Sequence, residues 1–86
     1  MNIRNIKNDD IIINDLTKLK NVRLKANLRV LDISLSTDIS IGNISNLENG
    51  NRGNPKIETL KRYLKPCGYE LVLIARKTYI PKKNKI

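Results

Sequence analysis

Apolar residues recur at helical spacing in successive stretches of this chain, and turn-forming residues separate them. Leu16, Leu19, Val22 or Arg23, and Ala26 share one face of a first helix over residues 15–26, with Asn14 or Asp15 placed to cap it. After a break at Asn27-Leu28, Val30, Ile33 and Thr37 supply the inner face of a second helix, residues 29–36. Thr37-Asp38-Ile39 reads as a turn, because Asp38 tolerates a left-handed backbone and Ile39 can plug the gap between two helices. Ser40 is then a good N-cap and Gly50 a good helix stop, with Ile44 and Leu47 facing inward between them. The loop Gly50–Pro55 leads to a fourth helix, residues 56–65, with Pro55 at or near its first position. Ile57, Leu60 and Leu64 form its core stripe, with Tyr63 beside it; Pro66 ends or bends the helix and Gly68 suits the exit.

The two ends read differently. Residues 1–14 carry Ile3, Ile6 and the run Ile11-Ile12-Ile13, which suit either a short strand or an extra helical turn, with extended structure favoured by propensity. Residues 69–76 are β-like and include the apolar run Leu71-Val72-Leu73-Ile74-Ala75. A lone strand lacks a ladder partner. Leu71, Val72, Leu73 and Ile74 can find one in the same strand of a second subunit about a two-fold axis, giving a homodimer. A final core helix, or pairing with the Ile-rich N-terminus, stands as the alternative. Residues 77–86 form a basic tail that attracts phosphate without regard to sequence.

With 86 residues there is room for one small domain whose core is thin enough to gain from oligomerisation. The formal charge of +9 calls for a polyanionic partner, nucleic acid or an anionic membrane. No apolar run approaches the roughly 20 residues of a membrane span, and Asp9 and Asp10 make the N-terminus a poor signal peptide, so cytoplasm associated with the nucleoid is the expected compartment and a membrane is not an expected partner. One Cys and no His leave neither a disulfide framework nor a zinc site, and Cys67 reads as a small buried thiol. No cofactor is expected. Nothing in the chain suggests an activated nucleophile or a glycine-rich phosphate loop, so an enzyme is disfavoured. Without Phe or Trp, base-stacking platforms for single-stranded RNA are disfavoured as well.

The third helix is where candidate chemistry concentrates. With Ile44 and Leu47 inward, Gly42, Asn43, Ser45 and Asn46 are left outward, small and uncharged. Such a helix fits deep in a groove, where Asn pairs in bidentate fashion with an adenine edge and Ser serves several bases. This is the recognition helix of a helix-turn-helix DNA-binding domain. Ile41 can touch a thymine methyl, while the amides after Ser40 can meet a phosphate. Arg29, Asn51 and Arg52, with the exposed amides near Gly50 and Gly53, can hold the sugar-phosphate backbone.

In one unbroken register, Leu28, Ile33, Ile39, Ser40, Ile44, Ser45, Leu47, Glu48 and Gly50 match a familiar pattern, and Thr59-Leu60 and Gly68 continue it. Over residues 15–68 the chain resembles the XRE, or Cro-type, repressor family. The resemblance implies a mainly α, lambda-repressor-like four-helix domain that binds double-stranded operator DNA. It also implies a partly buried ion pair between Arg23 and Glu48. Three positions depart from the family: Val30 replaces a glutamine whose phosphate or base contact is lost or passes to Arg29, Ser34 replaces an alanine, and Asp38 replaces the turn glycine. The added Tyr-Glu-Leu-Val-Leu-Ile-Ala segment, residues 69–75, resembles HipB-type antitoxins, which pair a terminal strand across a dimer and neutralise a HipA-like kinase toxin. A phage-type or general repressor without a toxin partner would use the same residues. The organisation expected is therefore an N-terminal extension (1–14), the helix-turn-helix domain (15–68), a dimerisation strand (69–76) and a basic tail (77–86).

Overall fold

The structure, a computed structural model, describes residues 9–51 and 53–79. Expectations for residues 1–8, for Arg52 and for the tail from residue 80 onward lie outside the described residues. Four α-helices follow one another: α1 (Lys18–Lys25), α2 (Val30–Thr37), α3 (Ile41–Glu48) and α4 (Ile57–Leu64), the last running into a 3-10 turn, Lys65–Cys67. Helix α3 packs on α1 and α2, and α4 with its 3-10 turn closes over α2.

Each helix is stopped by local chemistry. Asn27 (φ 60) and Gly50 (φ 72) take the left-handed conformation just past α1 and α3. The next amide reaches back into the helix in each case, Leu28 N–H to the Arg23 carbonyl at 3.2 Å and Asn51 N–H to the Asn46 carbonyl at 3.0 Å. These paired returns satisfy carbonyls that the helix ends would otherwise leave bare. Gly68 (φ 85) does the same after the 3-10 turn, where Tyr69 N–H bonds the Leu64 carbonyl at 3.1 Å. Asp38 (φ 68) ends α2, its amide on the Ser34 carbonyl at 3.0 Å.

The core is built from Leu19 and Val22 of α1, Ile33 of α2, Ile39 of the turn, Ile44 and Leu47 of α3, Tyr63 and Leu64 of α4, and Cys67. Leu16, Ala26, Leu28, Val30 and Leu60 pack against it half-buried. The extended segment before α1 contributes too: Ile11 and Ile13 lie against the core while Ile12 is exposed. That alternation is the period of extended backbone, in keeping with the β propensity of the Ile run.

Four expectations need correction. First, α1 begins at Lys18 rather than residue 15, and neither Asn14 nor Asp15 caps it. The Asp15 carboxylate instead accepts from the backbone N–H (2.9 Å) and the hydroxyl of Thr17, closing a turn ahead of the helix. Second, Ile57 is not core. It occupies the first position of α4, where the helix overhangs the hydrophobic centre, and is 49% exposed. Tyr63, which the spacing set beside the stripe, is fully buried. Third, α4 begins at Ile57 rather than residue 56, with Lys56 as its N-cap and Pro55 just before it. Fourth, residues 69–79 form no strand: the described residues there have no regular secondary structure. Tyr69 and Leu71 still pack against the core, but Val72, Leu73 and Ile74 stand 66%, 69% and 50% exposed. A strand is defined by its ladder, and no other described segment of this chain offers one.

Candidate nucleic-acid interface

Ser40 caps α3 in the manner its side chain allows, its hydroxyl oxygen accepting from the Asn43 N–H at 3.1 Å. Helical period then divides α3 into two faces. Ile44, Leu47 and Glu48 are buried. Ile41, Gly42, Asn43 and Asn46 are exposed and Ser45 is half-exposed. A Cβ built on Gly42 would meet nothing within 4 Å, so the helix surface there is open. Asn51 is exposed beyond the end of α3.

Arg29 stands at the N-cap of α2, with its side chain 74% exposed. It is not a free cation: its guanidinium pairs with Asp32 one turn on, Nη2 to Oδ1 at 2.9 Å, and its backbone N–H donates to Asp32 Oδ2 at 2.7 Å. The hydrogen bonds from Arg29 pull the Asp32 carboxyl down to about 2. Val30, in the position of the family's glutamine, is half-buried against the core.

Beneath the exposed face lies a polar cluster. Arg23 of α1 grips Glu48 of α3 with two hydrogen bonds, Nε to Oε2 at 2.7 Å and Nη2 to Oε1 at 2.9 Å, both side chains more than nine-tenths buried. Arg23 Nη1 also donates to the Leu28 carbonyl at 3.0 Å. The Tyr63 hydroxyl of α4 donates to Glu48 Oε2 at 2.5 Å and stands 3.1 Å from the Leu19 carbonyl. Burial pushes the Glu48 carboxyl up, but the hydrogen bonds from Arg23 and Tyr63 outweigh it and hold the group below its ordinary value. Burial, reinforced by the Glu48 carboxylate, drives the Tyr63 phenol well above its usual range. Cys67 is buried and free, its thiol raised by the same loss of water.

Two residues absent from the sequence-based set complete this frame. Tyr63 joins the ion pair, and its signal was its place three residues after Leu60 on the helical stripe. Arg62 donates from Nη2 to the Thr37 carbonyl at 2.5 Å, reaching the turn between α2 and α3 from α4. No periodicity marks an exposed arginine for that contact.

A tight left-handed turn between two short helices, the second presenting small amides outward, defines a helix-turn-helix domain. A family model described as a helix-turn-helix domain matches residues 17–80, and the chain belongs to that family, in keeping with the XRE-type resemblance. The family is one of DNA-binding domains, not of enzymes. No curated protein and no solved structure matches the chain. Among the described residues no helix is long and apolar enough to cross a membrane, and no group of three or more His, Cys, Asp or Glu is placed to hold a metal ion.

Proposed function

We propose that this chain is a sequence-specific repressor that binds double-stranded operator DNA as a homodimer. The observation that carries the reading is the outer face of α3, where Ile41, Gly42, Asn43 and Asn46 are exposed while Ile44, Leu47 and Glu48 root the helix in the core. Asn43 and Asn46, aided by Ser45, read base edges in the major groove, and Ile41 covers a thymine methyl. Ser40 and the amides after it, Arg29, Asn51 and Arg52 set the domain on the phosphates. The bent-back Asp32 lowers what Arg29 offers until a phosphate competes for it.

Dimerisation through residues 69–76, with Leu71, Val72, Leu73 and Ile74 as its apolar side chains, is supported by the exposure of three of them, which pairing with a second copy would cover. Two recognition helices would then lie about 34–36 Å apart, one turn of DNA. The resemblance of this segment to HipB-type antitoxins supports a narrower role: neutralising a HipA-like kinase toxin and repressing the operon that encodes both. Co-purification with a kinase-sized partner is the expected outcome of that role, and its absence under co-expression would leave a general or phage-type regulator.

Selection of duplexes from a random pool tests the main reading. The expected product is a near-palindromic motif with half-sites one helical turn apart. A pool enriched for no two-fold motif would remove the repressor reading.

A further inference from the structure

We propose that Arg62 is a positioning residue for the recognition helix. This rests on the DNA-binding reading above. Thr37 is the last residue of α2, so its carbonyl has no partner within the helix and carries the negative end of the helix dipole. No basic residue lies in the last turn of α2, and Asp38 places a further negative charge next to that end. Arg62 supplies both missing things, a donor at 2.5 Å and a positive charge, from 25 positions further along the chain. The Thr37 side chain ties the same point together: its hydroxyl donates to the Ile33 carbonyl at 2.7 Å and accepts from the Ile39 N–H at 3.1 Å. Asp38, Ile39, Asn43 and Arg62 are among the residues lining one cleft, so the arginine that fixes the turn and the asparagine assigned to base reading lie about the same opening. With Asp38 already in the left-handed region, the direction in which Ser40 launches α3 depends on how firmly Thr37 is held. Arg62 holds it, and thereby sets the angle at which Asn43 meets a base pair.

The test uses Arg62→Met, which keeps the aliphatic stem and removes the donors, and Arg62→Lys, which restores one. Each full-length variant is titrated with the selected duplex and with a random duplex over a range of salt, and its amide hydrogen exchange is recorded without DNA. The expected result for Arg62→Met is a loss of about tenfold in the ratio of selected to random binding, the size of one hydrogen bond to a charged group. The Asp38, Ile39 and Asn43 amides should exchange faster while that of Val22 in α1 does not change, and Arg62→Lys should recover part of both. Equal weakening on both duplexes, with the salt slope smaller by about one, would make Arg62 a phosphate contact and overturn the proposal. Unchanged exchange at the turn would overturn it too. If the wild-type chain binds no duplex, the DNA reading fails on its own, and the exchange comparison still decides whether Arg62 fixes the turn.

Discussion

Arg23 of α1 and Tyr63 of α4 converge on the Glu48 carboxylate of α3, so the carboxylate is the member whose loss touches both others. Glu48→Ala leaves a buried guanidinium without its counter-charge, with only the Leu19 carbonyl left to take the Tyr63 hydroxyl, and the expected loss of stability is about 3–5 kcal/mol, read from urea unfolding. Unchanged stability would show that the cluster is not structural. The pH dependence has a definite sign. Glu48's carboxyl is depressed from its ordinary 4.5, so its stabilisation is complete above that value and is lost as pH falls through the folded-state value. Tyr63's phenol and Cys67's thiol are raised from 10.0 and 9.0, so an unfolded chain releases those protons first and stability falls as pH climbs past these values. Urea midpoints should therefore be level between about pH 5 and 9 and drop on both sides. At this scale the sequence was partly legible. The buried thiol followed from composition, and Arg23 with Glu48 followed from the family resemblance. Tyr63 was placed only beside the core stripe, because the spacing of aliphatics does not record that a buried carboxylate takes its hydroxyl.

The elements were most readable where a single residue decides a boundary. Ser40 begins α3 and Gly50 follows its end because a hydroxyl cap and a left-handed stop are local chemistry, requiring no knowledge of the rest of the fold. Asp38 was readable for the same reason. The start of α1, the exposure of Ile57 and the lack of a strand at 69–76 depend on what lies across from each segment, which spacing along one chain does not record. Gly42 gives a test that separates helix stability from groove fit. Its Cβ position is open, so Gly42→Ala should raise the stability of α3 by about 0.5–1 kcal/mol, seen as a higher Tm. The same methyl sits on the face assigned to DNA, so operator affinity should fall in this more stable variant. Asn43→Ala should leave Tm unchanged and lose roughly 1–3 kcal/mol of discrimination at one or two base pairs. Equal loss on selected and random duplexes would count against base reading by Asn43.

Across the whole molecule, charge and symmetry set the expectations. A chain with a formal charge of +9 should bind DNA with an affinity that falls steeply as salt rises. Val72 and Ile74 are both exposed within the segment proposed to pair across a two-fold axis. Under the proposed two-fold pairing the wild-type chain should sediment as a dimer and the double variant Val72→Asp, Ile74→Asp as a monomer, with the helical signal retained. A wild-type chain that is monomeric at high concentration would sink the two-fold reading. Glu48 bears one last consequence. It sits on the final turn of α3 and is fastened there to α1 and α4 together, while Thr37 and Arg62 brace the turn ahead of the other end, so the rod is pinned at both ends. Nuclear spin relaxation should then find the Ile41–Asn43 amides as rigid as those of Leu47 and Glu48 before any duplex docks.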